Sequence, residues 1–183
     1  SVDTQDRSLM VGVDKGIANV VITLTVAGAK VEVSKEPVEL DQAQCRFEPH
    51  VSIVPVGTTI RFTNSDGVSH NVHTYSIKND PLNKTVAANG KLDMKVAKAE
   101  SIKIACDIHP WMSSYAVVTD DTHWGLSDAA GRFSIDGVPP GEYNLSIWHE
   151  SLGKAMATVT VNEDGSSTAA EVKMGQKKKR RRR

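Results

Sequence analysis

Cys106, His109 and Met112 stand three residues apart in the stretch Cys106-Asp107-Ile108-His109-Pro110-Trp111-Met112. A loop of that kind can fold around a single ion, because thiolate and imidazole are strong copper ligands and a thioether is a soft, weak axial one. One equatorial donor is missing from the loop. His70, in Asn64-Ser65-Asp66-Gly67-Val68-Ser69-His70-Asn71-Val72-His73, is the natural candidate from a distant strand. Two imidazoles, one thiolate and a weak thioether form the blue-copper donor set, tuned for electron transfer. Taken singly, a Cys at a strand end is usually a small buried hydrophobe, a Met is core filler and a His is a hydrogen-bonded residue. The combination carries the reading. Zinc is the main chemical competitor, but a structural zinc site usually takes four strong Cys or His ligands, and Met is a poor one.

A loop that holds an ion needs a stiff frame, and short β-branched runs separated by turn residues supply the pattern for one. They are Asn19 to Val26, Val51 to Val54, Thr58 to Thr63, Ser101 to Cys106, Tyr115 to Thr119, Arg132 to Ile135, Glu142 to Trp148 and Ala157 to Val161. Val56-Gly57, Asp66-Gly67, Asn89-Gly90, Ala130-Gly131, Asp136-Gly137, Pro140-Gly141 and Asp164-Gly165 lie between them, where turns require Gly, Asn or Asp at positive φ. Helical periodicity is weak. Leu92, Met94 and Val96 alternate as a strand would, although Leu92 to Ala99 also reads as a short helix. The fold class is all-β, a sandwich or barrel.

The segment Val54 to Val118 resembles the cupredoxins, and among them most closely the amicyanin group, in its loop length and in the pairing of His70-Asn71-Val72-His73 with Cys106 to Met112. The resemblance implies a Greek-key β-sandwich that holds one copper on His70, Cys106, His109 and Met112. It also implies that Asn71 orients the ligand loop by hydrogen bonds and that Pro110 stiffens the surroundings of His109. His73 matches the family pattern without being a ligand there. Two residues depart from it. Cys45 is expected to be a free buried thiol, or else an intermolecular or metal contact, because a copper-bound Cys106 cannot form a disulfide with it. His50 could reach the same end of the sandwich and add a strong ligand, which would move the site toward tetragonal geometry.

The stretch Ser127 to Leu145 is similar to the carboxypeptidase regulatory-like, transthyretin-like β-sandwich: a turn, an alternating strand, a Pro-Gly turn and another strand. The expected organisation is a cupredoxin-like domain over residues 1–120, a second small Ig/transthyretin-like β-sandwich over 121–176, and a basic tail over 177–183. Strands within 9–34 either complete the second sandwich or form the first sheet of the copper domain. His123, Trp124, Trp148 and His149 are expected to be anchors of packing, in preference to a second site.

The 183 residues are 24% charged and 39% hydrophobic with a formal net charge of zero, ordinary for a folded domain pair. The zero conceals an asymmetry. Lys177, Lys178, Lys179, Arg180, Arg181, Arg182 and Arg183 hold seven of the 22 Lys and Arg; the remaining 15 face 22 Asp and Glu, a balance of −7. The terminal block is expected to be a solvated tail, with an anionic partner as the functional alternative. No basic stripe with interleaved aromatics points to nucleic acid. Gly-x-Ser-x-Gly, a phosphate-binding glycine loop and His-Glu-x-x-His are all missing, so no enzyme activity is expected. No apolar run approaches the roughly 20 residues of a membrane helix. The expected function is an electron carrier of the bacterial periplasm or cell envelope, its signal peptide already removed, meeting redox proteins by transient docking. The alternatives are an interaction subunit on the same scaffold with copper incidental, and a copper-handling protein with a modified site.

Overall fold

The computed structural model describes residues 4–167 and 172–175; the basic stretch 177–183 lies outside the described residues. The described residues divide into two compact units, one of residues 4–7 with 31–120, the other of residues 8–30 with 121–167 and 172–175. The described residues form strands, turns and irregular segments without a helix, so none is long and apolar enough to cross a membrane as a helix. The fold is all-β.

The first strand in the chain, β1 (Val21–Leu24), belongs to the second unit. The first unit is built from β2 (Val38–Ala43), β3 (Arg46–Glu48), β4 (Val51–Pro55), β5 (Thr59–Asn64), β6 (His70–Thr74), β7 (Asn83–Val86), β8 (Lys91–Lys95), β9 (Glu100–Ala105) and β10 (Ser113–Thr119). These make two sheets, ordered β4-β10-β9-β6-β7 and β3-β2-β5-β8. The pairs β4 with β10 and β2 with β5 are parallel, and the others are antiparallel.

Alternation of side chains explains why the two sheets face each other. In β5, Ile60, Phe62 and Asn64 turn inward while Thr59, Arg61 and Thr63 turn outward. From the opposite sheet Val54, Val72, Ile102, Ile104, Ala116 and Val118 meet Leu40, Phe47, Ile60 and Phe62 in one buried core. Burial of that apolar surface is what drives a sandwich together. Leu92 and Met94 lie on β8, so the alternating reading of that stretch holds over the helical one. The strands β2, β3, β6 and β7 carry too many polar residues to stand out as β-branched runs.

The second unit adds β11 (His123–Leu126), β12 (Gly141–His149) and β13 (Gly153–Val161). With β1 they form one antiparallel sheet, ordered β11-β1-β12-β13. Its core is Val20, Ile22, Leu24, Leu145 and Ile147, with Phe133, Ile135 and Val138 packed on them. Arg132 to Ile135, expected as a strand, is irregular: it lays Phe133 and Ile135 on the core and has no ladder partner. Of the N-terminal residues 9–34 left open between two assignments, β1 therefore pairs within this unit, while residues 31–34 group with the first unit.

A close backbone crossing in the second unit demands glycine. A Cβ on Gly16 would stand 1.8 Å from the Ala130 carbonyl oxygen, and Gly131, at φ 75°, lies against the Gly16 Cα. Neither backbone can yield as a side chain would. Gly16→Ala is expected to cost about 3 kcal/mol of stability, at the upper end for overpacking, read as a lower urea midpoint. An unchanged midpoint would refute the crossing.

Candidate metal centre

The β9–β10 hairpin brings Ala105 opposite Ser113, so the seven residues from Cys106 to Met112 must turn the chain at the end of the sheet. Two backbone bonds close that loop: Met112 N–H donates to the His109 carbonyl at 2.9 Å, and Cys106 N–H to the Met112 carbonyl at 3.1 Å. The neighbouring strand β6 pairs with β9 through His73 opposite Ala105, which puts the start of β6 beside the loop.

His70, first residue of β6, is fully buried. Its Nδ1 lies 3.0 Å from Nδ1 of His109, and the same His109 nitrogen lies 3.8 Å from Cys106 Sγ. The ligating atoms of His70, Cys106 and His109 all fall within 4.8 Å of one another. Two nitrogens about 2.0 Å from one ion, and a sulfur about 2.3 Å from it, would stand about 3.3 Å and 3.5 Å apart at tetrahedral angles. The donor set and its spacing therefore fit a single transition-metal ion. Met112, expected as the fourth ligand, is buried to 1% exposure in the core cluster that includes Cys106.

The surroundings hold these groups in place. The Asn71 amide donates to Cys106 Sγ at 3.4 Å, and the Asn71 side-chain oxygen accepts the Asp107 N–H at 3.1 Å. Asn71 thus ties β6 to the loop by two bonds. His70 Nε2 lies 2.7 Å from Asp66 Oδ2. An ionised carboxylate only accepts, so the proton sits on Nε2 and the Nδ1 lone pair faces the loop. A carboxylate on the far nitrogen of a ligating imidazole fixes its tautomer and strengthens it as a donor. Burial works against the ionised form of Asp66, but the Cys45 amide, His70 and the Gln44 amide together hold its carboxyl below the ordinary range.

Nothing in the residue spacing marked Asp66 as a partner of His70; the signal is only an acidic residue four positions upstream in an Asp-Gly turn. The role of the Cys45 turn was also hidden. Cys45 is a free, half-buried thiol, and its carbonyl accepts the Trp111 indole N–H at 3.1 Å. Burial raises its pKa, and the charges of Asp66 and Cys106 raise it further. A second convergent set, Cys45, Asp66 and His70, lies within 4.8 Å. His50, 7% exposed, belongs to neither set. His73 bonds the Asp107 carboxylate at 3.0 Å and stacks on Tyr75. In the second unit His123 and Trp124 lie on β11, and Trp148 and His149 on β12; none belongs to either convergent set.

The family model described as polysaccharide lyase family 4, domain II, matches residues 111–170, under half of the chain. No curated protein sequence matches. Solved structures that are similar include a Cu-containing nitrite reductase from Thermus scotoductus SA-01, 23% identical with a TM-score of 0.44, covering 52% of this chain and 25% of that one. A methionine-to-alanine variant of amicyanin in the Cu(I) state is 21% identical, TM-score 0.43, covering 54% and 98%. A purple cupredoxin from Nitrosopumilus maritimus is 20% identical, TM-score 0.39, covering 45% and 99%. The chain thus spans a quarter of the nitrite reductase and nearly all of the other two.

Proposed function

We propose that this chain is a type 1 copper protein that carries single electrons between redox partners of the cell envelope and is not itself an enzyme. The observation that carries the reading is the convergence of ligating atoms of His70, His109 and Cys106 within 4.8 Å at the end of a β-sandwich, with the two Nδ1 atoms 3.0 Å apart and His109 Nδ1 3.8 Å from Cys106 Sγ. Bound copper would supply a one-electron couple, and His70, His109 and Cys106 would hold it, with the Met112 thioether as a further, weak donor. The chain's part is to hold that arrangement constant. Asn71 clamps the thiol and the loop, Asp66 holds the His70 ring, and the two bonds within the loop keep His109 and Met112 in register with Cys106. Groups fixed in this way rearrange little when the charge changes, which favours fast transfer.

Partners would meet the same end of the sandwich. His109 is partly exposed, and Ile108 and Trp111 of its loop are 55% and 42% exposed, as is Val68, at 53%, in the turn before His70. An apolar patch of that kind suits a small interface below about 1,200 Å², weak enough for rapid release. The purified protein should be titrated with Cu(II) while visible absorption, paramagnetic resonance and copper content are recorded. One copper per chain with an intense thiolate charge-transfer band is expected. A colourless protein that retains no copper would overturn the carrier and leave an interaction scaffold.

A further inference from the structure

We propose that Cys45, Asp66 and the far nitrogen of His70 form a second metal site, for one zinc-like divalent ion, sharing the His70 imidazole with the copper centre. The two nitrogens of that ring face different neighbours. Nδ1 looks toward His109 at 3.0 Å, whereas Nε2 looks toward Asp66 at 2.7 Å, so one ion uses the Nδ1 lone pair and the other the lone pair that Nε2 gains on losing its proton, the ring between two ions being an imidazolate. The Cys45 thiol, an Asp66 oxygen and a His70 nitrogen lie within 4.8 Å of one another. An orienting carboxylate accounts for the contact to Nε2. It does not by itself call for a thiol within 4.8 Å of both.

The frame of the site is built before any ion arrives. Gln44 and Cys45 form the tight turn between β2 and β3, both in the left-handed region at φ 54° and 55°. Their amides donate to the two oxygens of Asp66, Gln44 to Oδ1 at 2.7 Å and Cys45 to Oδ2 at 2.8 Å. One turn therefore presents the thiol and fastens the carboxylate. His70 is sealed from solvent, while the Asp66 side chain is 17% exposed and Cys45 is partly exposed, so the site opens to water on the turn side.

A thiolate, an imidazole and a carboxylate make a three-ligand zinc set that leaves a fourth position for water. With copper on Nδ1 the ion replaces two protons, one from the Cys45 thiol and one from His70 Nε2, which pass to solvent; with Nδ1 free the ring proton moves to Nδ1 and the thiol proton alone is released, and in neither case do electrons move. An ion about 2.0 Å from nitrogen and oxygen would widen the Nε2 to Oδ2 separation from 2.7 Å to about 3.3 Å. A small shift of the turn accommodates that.

The site shares a residue with the copper reading but does not depend on copper being bound, and the test separates the two. Full-length protein loaded with Cu(II) is titrated with Zn(II), desalted and assayed for both metals and for proton release. Wild type is expected to keep one zinc beside one copper and to release about two protons per zinc. Cys45→Ser and Asp66→Asn should each lower zinc affinity about 100-fold, at the upper end of what outer-shell changes cost a metal site. The thiolate band of Cys45→Ser should persist. Zinc retention in Cys106→Ser that disappears when Cys45→Ser is added supports the second site even where the copper reading fails. The proposal is overturned if wild type keeps no zinc beyond its copper, or if Cys45→Ser binds zinc as tightly as wild type does.

Discussion

Cys106→Ser is expected to abolish the intense visible band of the copper-loaded protein and to lower copper affinity about 100-fold or more, beyond what outer-shell changes cost a metal site. Cys106 is the thiol in the set that also contains His70 and His109, and it is only 3% exposed. Serine nearly matches its volume, and its oxygen can accept the Asn71 amide that now donates to Sγ. The frame is therefore preserved while the ligand is lost, since a hydroxyl keeps its proton at neutral pH and is a hard, weak donor. Unfolding of the metal-free variant should stay within a few degrees of wild type. Absorption and resonance spectra of Cys45→Ser, recorded alongside, assign the thiolate: a band that survives Cys106→Ser and vanishes in Cys45→Ser would sink the proposed ligand set.

The second large effect is expected under acid. Glu100, at the start of β9, gathers the loop between β6 and β7: its carboxylate accepts the Ile77 amide at 2.6 Å, the Ser76 hydroxyl at 2.8 Å, and the Lys78 and Asn79 amides at 3.1 and 3.2 Å. Burial raises its pKa, but these donors outweigh burial and bring it from 4.5 to about 2. A carboxyl depressed by folding stabilises the native state above its unfolded pKa, and the contribution disappears as pH falls through the folded one. The window is therefore pH 4.5 down to about 2. Each pH unit is worth about 1.4 kcal/mol at most, and solvent screening at this half-buried position leaves about 2 kcal/mol in all. Glu100→Gln should be about 2 kcal/mol less stable than wild type at pH 7, with most of that difference gone at pH 2.5. Urea unfolding at pH 7, 4.5 and 2.5 checks it; a difference that is constant with pH would show that the carboxylate charge is not what holds the loop.

The sandwich core was legible wherever strands carry β-branched residues in strict alternation. Ile60 and Phe62 in β5, and Ile102 and Ile104 in β9, point inward because successive side chains leave a strand on opposite faces. Strands that pair through polar stretches were not legible. The β2 segment Val-Glu-Leu-Asp-Gln-Ala is a strand because β5 and β3 supply ladders on both sides, and nothing local requires it. Arg132 to Ile135 fails in the reverse sense: its alternation suits a strand, yet the segment spends its apolar residues on covering a core and finds no partner.

The spacing of Cys106, His109 and Met112 is a local property, and the loop that carries them is closed by backbone bonds among its own residues. That much the sequence determined alone, together with the all-β class. Which distant His would face the loop depended on β6 lying beside β9, a pairing of residues more than 30 positions apart. The same holds for β1, whose β-branched run suited either unit until the ladders with β11 and β12 placed it in the second. Asp66 and Cys45 join the centre only through the fold, because the Gln44–Cys45 turn reaches Asp66 across 21 residues. Local spacing sets what a loop can chelate; only tertiary pairing sets what stands behind each ligand, because hydrogen bonds and charge act through space and not along the chain.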